Sequence, residues 1–230
     1  MHVLDNPVWH ALGGPHTTVA EHFGLASRYV PDVSVFAALP DEVGPEAWDA
    51  LRELVGPGGT AILAFRDVAP PDEWIVQFVM PCRQMWLRGD LGESHSGAPA
   101  QSFERLGAAD VPEMLELVKR TRPGPFSTRT VELGAYLGVR DERKELVSMA
   151  GERLHPPGFV EISGVCTDDA HRGRGLASQL VRTLVGGIRA RDETPILHLT
   201  IENEGAYRVY SDLGFETRRA VDVISVQAPT

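Results

Sequence analysis

The 230-residue chain has only two cysteines, Cys82 and Cys166, so it holds neither a disulfide framework nor a cysteine-built metal site. It has no apolar run near the roughly eighteen residues that a membrane-spanning helix needs. Its first residues, MHVLDNPVWH, lack the basic region and apolar stretch of a secretion signal. The resulting expectation is a cytoplasmic protein with no membrane partner. A broad cationic face is also missing. The formal net charge of −10 argues against general nucleic-acid binding and fits an acceptor that is a cation or a neutral amine. Residues 1–88 contain no phosphate loop, paired carboxylates or nucleophile pattern. His10, His16 and His22 recur every six residues and so share no helical face. They read as turn and surface histidines, and no metal is expected.

What is present divides into two stretches. PEAWDALRELV has helical spacing through Ala47, Leu51 and Leu54 and stops at GPGG, and TAILAFRD and EWIVQFVM read as strands. Trp74 and Trp86 on these strands read as core or interface residues. Residues 89–101, GDLGESHSGAPAQ, are rich in Gly, Ser and Pro and mark the boundary, with an α/β domain over 1–88 and a second domain over 102–230. After the boundary, SFERL predicts a short strand, and Asp110 is placed to cap a helix through VPEMLELVKR. RTVELG predicts a further short helix, and AYLGVRD and KELVSMAGERL predict antiparallel strands. PPGFVEISGVCT reads as a strand, and the run from Arg172 carries Leu176, Leu180, Leu184 and Ile188 at intervals of four on a helix of about five turns. PILHLTI, GAYRVYSDLG and AVDVISVQ complete a mixed α/β pattern of strand, helix and strand.

The segment between the third strand and the long helix, CTDDAHRGRGLAS, carries the chemistry. Free backbone N–H groups and the positive end of the helix dipole make an anion site at a helix start. Gly173 and Gly175 let the backbone approach a phosphate, and Arg172 and Arg174 add positive charge. A dinucleotide fingerprint fits poorly. Its third glycine is Ser178, five residues (Asp168 to Arg172) separate the strand from the first glycine, and the preceding strands form an antiparallel meander.

Arg172-Gly-Arg-Gly175-Leu-Ala177 resembles the R/Q-x-x-G-x-G/A motif of the GNAT superfamily of acyl-CoA-dependent N-acetyltransferases. Asn203-Glu-Gly-Ala206-Tyr-Arg-Val-Tyr210 resembles the N-x-x-A-x-x-x-Y signature of the same family, with Leu213-Gly214-Phe215 after it. The resemblance covers about residues 101–228 and is greatest to the branch related to glycine N-acyltransferases. It implies a GNAT fold behind a divergent N-terminal half, which could itself be a degenerate copy of that fold. It also implies acetyl-CoA, or a related acyl-CoA, as co-substrate. On this resemblance Arg172, Gly173, Arg174, Gly175, Leu176 and Ala177 hold the pyrophosphate, and Asn203 and Ala206 meet the CoA arm.

The same resemblance makes residues 160–167 the rail for the acyl donor. Val165 and Thr167 would pair with the pantetheine arm, and a backbone N–H near Val165 or Cys166 would polarise the thioester. Tyr210 would protonate the departing thiolate. Glu161 lies eleven residues before Arg172, where histone-modifying members keep a glutamate base; the alternative is a solvated strand residue. A bulge at Gly164 would change which residues share its face. Glu152, His155 and Glu202 are weaker candidates, and Cys166 reads as a small buried residue, not a nucleophile. The expected activity is direct acetyl transfer to a primary amine of a small molecule or peptide by a monomer or homodimer. The alternative is an acyl-CoA-binding module without turnover.

Overall fold

The computed structural model describes residues 2–92 and 103–230, so residues 93–101 of the predicted boundary lie outside the described residues. In chain order the N-terminal half holds α1 (Pro7–Leu12), β1 (Ala20–Phe23), β2 (Ala26–Tyr29), β3 (Phe36–Ala38), α2 (Pro45–Val55), β4 (Thr60–Ala64) and β5 (Ile75–Trp86). The C-terminal half holds β6 (Glu104–Leu106), α3 (Val111–Thr121), β7 (Tyr136–Arg140), β8 (Leu146–Glu152), β9 (Phe159–Thr167), α4 (Leu176–Arg189), β10 (Thr194–Thr200), α5 (Glu204–Asp212) and β11 (Glu216–Gln227). All eleven strands join one mixed sheet in the order β1-β2-β3-β4-β11-β5-β10-β9-β8-β7-β6. Among the described residues only β3/β4 and β9/β10 are parallel pairs. Among the described residues no helix is long and apolar enough to cross a membrane.

The elements follow their apolar periodicity. The stripe of α4 buries Leu176, Leu180, Val181, Leu184, Val185 and Ile188, each worth roughly 1.5–3 kcal/mol. This stripe packs with Val160, Ile162, Leu197 and Leu199 of the sheet and with Leu213 and Phe215 beyond α5. Met114 and Leu117 of α3 pack instead with Tyr136, Met149 and Cys166. Along β7, Leu137 and Val139 turn to the α4 side and Tyr136 to the α3 side, so the two helices cover opposite faces.

Several local expectations are corrected by the backbone. The long helix begins at Leu176, not Arg172, and spans 14 residues, because Gly173 and Gly175 sit at φ 75° and 73° and break the helical path. β4 ends at Ala64 because Phe65 is left-handed at φ 65°. RTVELG forms a single 3-10 turn, Thr130–Leu133. Asp110 does not cap α3: its carboxylate accepts from Gly107 N–H at 2.9 Å and from Arg140 Nη2 at 2.8 Å. His16 is no surface histidine. It is buried, and its Nδ1 lies 2.7 Å from the Tyr29 hydroxyl. Trp74 is buried against Trp48, with ring centroids 5.2 Å apart, as a core residue should be.

The change of composition after residue 88 does not divide the sheet. β5 lies between β10 and β11, pairing with β10 over Cys82–Trp86 and with β11 along its whole length. A buried cluster also joins Val8, Leu12, Tyr29, Phe36 and Phe65 to Leu133, Leu154 and Val221. A shared sheet and core should unfold together. The expected result is one transition in urea, with coincident curves from tryptophan fluorescence, whose four reporters all lie at or before residue 86, and from far-UV circular dichroism. An N-terminal transition that separates from the dichroism curve would contradict this.

Candidate active site

A bulge creates the site. Between the pairs Met149↔Cys166 and Gly151↔Ser163, β9 spends three residues against two of β8, with Gly164 at φ 63° absorbing the extra residue. The alternation reverses there, so Cys166, and not Val165 or Thr167, continues the face of Glu161. On its other side β9 pairs with β10 only from Phe159↔Thr194 to Glu161↔Ile196, and then the two strands part. A cleft of about 850 Å³ opens between them, lined by residues 162–167 of β9 and by His198, Leu199 and Thr200 of β10. The edge of β9 beyond Glu161 therefore has no strand on its β10 side, and an extended ligand with amide groups can add there as a strand does.

The start of α4 closes one end. Gly175 supplies no side-chain cap, and the first helical bond is donated by Gln179 N–H to Gly175 C=O at 3.1 Å. The N–H groups of Leu176, Ala177 and Ser178 thus point past the helix start into the cleft that these residues line, with the positive end of the helix dipole behind them. A Cβ on Gly173 would meet nothing within 4 Å, so that glycine serves its left-handed backbone and leaves open space. Arg122 and Arg172 also line the cleft. Arg172 donates from Nε to Thr167 C=O at 3.3 Å and pairs with Asp169 at 2.7 Å. Arg174 is exposed and not among the lining residues, and its Nη2 turns back to Ala170 C=O at 3.4 Å. These donors suit a pyrophosphate.

Asn203, Ala206 and Tyr210 meet the cleft from α5. Asn203 Oδ1 accepts from Ala206 N–H at 3.1 Å, so its side chain caps the helix. Tyr210 packs edge-on to Phe215, with ring centroids 6.1 Å apart. Burial pushes its phenol above the ordinary tyrosine range, so it stays protonated at neutral pH. Cys166 is buried, and burial lifts its thiol to about 11, which leaves it un-ionised and no nucleophile.

Glu161 is not the free base that its position in the sequence suggested. Its carboxylate is fully buried and does not line the cleft. Arg153 donates to it twice, from Nε at 2.8 Å and from Nη2 at 2.7 Å, and His198 Nδ1 lies 2.7 Å from Oε1. Burial alone would raise its pKa, but the Arg153 charge and these hydrogen bonds outweigh that and hold it at about 2. A carboxylate so acidic and so fully occupied takes no proton from an ammonium. The His198 tautomer follows from its neighbours. Gln84 Oε1 accepts from Arg218 Nη1 at 2.7 Å and its Nε2 donates to Leu4 C=O at 2.9 Å, which fixes the amide. Gln84 Nε2 then donates to His198 Nε2 at 2.9 Å, so the proton of His198 is on Nδ1 and points to Glu161. Burial lowers the His198 pKa and keeps the ring neutral.

Of the weaker candidates, none lines the cleft. Glu152 is buried with Arg191 at 2.9 Å, His155 stands 5.1 Å from the His16 ring, and Glu202 is exposed. The far end of the cleft was not foreseen in the sequence. Phe36, Ile62, Phe65, Phe78, Met80, Cys82 and Val223 line it, and Arg153 and His198 form its floor. Phe65 stacks on His198 with centroids 3.6 Å apart. The pairing of Arg153 with Glu161 did have a signal, since the two residues face each other across the turn at PPG. Phe36 and Phe65 carried none, because the fold alone brings them from the other half.

The FR47-like protein family matches residues 136–223, which span β7 to most of β11 and include every cleft residue from β9 onward. A solved GNAT-family protein of Novosphingobium aromaticivorans DSM 12444 is 37% identical, with each chain covered in full and a TM-score of 0.86. A GCN5-related N-acetyltransferase from Kribbella flavida is 17% identical over 100% of this chain and 97% of its own, with a TM-score of 0.65, and so shares the fold. No curated protein matches the sequence significantly.

Replacing Glu161 by Gln keeps the shape and removes the charge, which leaves Arg153 buried without its counter-ion. Urea denaturation at pH 7 should show a loss of about 3–5 kcal/mol. The native carboxyl titrates at about 2 and the ordinary one at 4.5, so the fold binds fewer protons than the unfolded chain between these values. Its contribution is complete above about pH 4.5 and is lost as pH falls toward 2, and the variant should lack that share of the acid dependence. A variant as stable as the native chain would contradict the assignment.

Proposed function

The chain belongs to the GNAT family, and from that membership we propose that it transfers an acetyl group from acetyl-CoA directly to a primary amine, with no covalent enzyme intermediate. The observation that carries this is one cleft in which the anion-binding start of α4, the unpaired edge of β9 and the Tyr210 phenol converge. The N–H groups of Leu176, Ala177 and Ser178, with Arg172 and Arg122, receive the pyrophosphate. The free edge of residues 162–167 holds the pantetheine arm, through Val165 and Thr167 in this reading, beside Asn203 and Ala206. Arg174 reaches the phosphates only by swinging away from Ala170.

Holding the two substrates in attack geometry supplies a large part of the rate enhancement. As the amine attacks, negative charge grows on the thioester oxygen, and in this reading a backbone N–H near Val165 or Cys166 stabilises it. The Tyr210 hydroxyl gives its proton to the thiolate as the C–S bond breaks, and the proton shed by the attacking nitrogen restores the phenol. Glu161 acts through others: it fixes the Arg153 guanidinium and the His198 ring that floor the acceptor end. The thiols of Cys82 and Cys166, both lifted to about 11, take no part.

Calorimetric titration with acetyl-CoA tests the cofactor reading. Saturable binding is expected in the native chain and a loss of binding in Gly175→Val, whose Cβ is strained at φ 73°. Absence of binding in the native chain would contradict the proposal. Tyr210→Phe should lower kcat by about 10²–10⁴-fold, with acetyl-CoA affinity unchanged, in an assay of CoA release. An unaltered kcat would remove the proton-donor role. Binding of acetyl-CoA with no turnover across a broad amine panel would favour a CoA-binding module.

A further inference from the structure

The cleft has an unusual charge balance for an amine-acetylating site. The chain carries 32 acidic residues, yet among the described residues not one Asp or Glu lines the cleft. Its charged side chains are Arg122, Arg153 and Arg172. A simple alkylammonium would enter as a cation with no carboxylate to meet it, and burying an uncompensated charge is costly. The acceptor must therefore be neutral overall or bring its own anion. The overall charge of −10, which fits an acceptor that is a cation or a neutral amine, does not extend into the site.

Arg153 shows where such an anion would sit. Its Nε and Nη2 are both committed to Glu161, and its Nη1 has no hydrogen-bond partner among the described residues. The guanidinium carbon lies over Phe36, 5.0 Å from the ring centroid, and 5.7 Å from that of Phe65. A bidentate pair behind it and two aromatic rings beside it leave a pre-oriented donor on the cleft floor. Phe65 lies beside it, and the apolar side chains of Phe78, Met80 and Val223 line the same cleft.

We propose that the acceptor is an apolar amino acid, an amine that carries its own carboxylate, and that Arg153 Nη1 receives that carboxylate while the aromatic and methionine side chains receive the apolar body. This inference rests on the acetyl-transfer reading and adds the substrate class. Glu161 neutralises the Arg153 charge, so Arg153 contributes a fixed hydrogen bond more than a net attraction. A zwitterion satisfies both this donor and the overall charge balance. When its ammonium loses a proton before attack, its carboxylate stays on Arg153 Nη1.

The test uses matched pairs: phenylalanine against 2-phenylethylamine, and leucine against 3-methylbutylamine, with acetyl-CoA and CoA release as the readout. The amino acid of each pair should have the higher kcat/KM by at least about tenfold. Arg153→Lys keeps a positive charge against Glu161 but has no Nη1, and it should collapse that ratio by about 10–100-fold, the range of a hydrogen bond to a charged group. Calorimetry should show acetyl-CoA bound by the variant as by the native chain, which separates loss of the acceptor contact from loss of the fold. If acetyl-CoA binds and the amines without a carboxylate are preferred, or no pair member is acetylated, or Arg153→Lys lowers both members equally, the inference is overturned and the transferase reading is judged on other acceptors. Failure of the native chain to bind acetyl-CoA would overturn both.

Discussion

The site depends on how a fully buried carboxylate is kept charged. Glu161 lies at the last residue pair before β9 and β10 part, where a backbone ladder gives way to an open cleft. An isolated carboxylate could not remain ionised there, but Arg153 and His198 saturate it. The same chain of contacts runs on through Gln84 of β5 to Arg218 of β11, and Arg218 donates to Asp5 at 2.6 Å. Strands from both halves are thus locked at the floor of the cleft. Such a network adds little net stability over an apolar core, but it cannot lose one member without cost, and it fixes the position of each group.

Above that floor the architecture is a consequence of two glycine-dependent features. Gly164 lets β9 bulge, which frees the strand edge and re-aims its amides. Gly173 and Gly175 let the chain turn so that α4 starts facing that edge. The helix start and the strand edge then line one cleft, and the proposed function gives the first to charge and the second to an amide-bearing arm. Tyr210 comes from α5, whose start is fixed by the Asn203 cap. On the proposed reading the second half of the chain alone builds the donor side. The acceptor side is composite, because the N-terminal half lends Phe36, Phe65, Phe78 and Met80 to it.

This division explains what was legible in the sequence. The order of elements after residue 102 followed from periodicity, and the two glycine- and asparagine-marked helix starts from two local motifs. Those features are short-range: a glycine pair, a cap and a stripe at intervals of four. The insertion of β5 between β10 and β11 was not legible, because strand order is settled by long-range pairing that leaves no local trace. Glu161 was placed correctly on its strand and given the wrong chemistry. Its role is decided by Arg153 across a turn and by His198 on a strand 37 residues later, and a carboxylate alone in sequence looks the same whether it is free or saturated. Asp110 failed as a cap for a similar reason, since Arg140 and Gly107 claim its oxygens.

The most direct test of the account is a crystal structure of the protein with CoA bound. The account predicts the pyrophosphate on the amides of residues 176–178, the pantetheine arm paired with the free edge of β9, and the sulfur within hydrogen-bond distance of the Tyr210 hydroxyl. CoA seated elsewhere, or a sulfur placed out of reach of Tyr210 with Glu161 turned into the cleft, would contradict it.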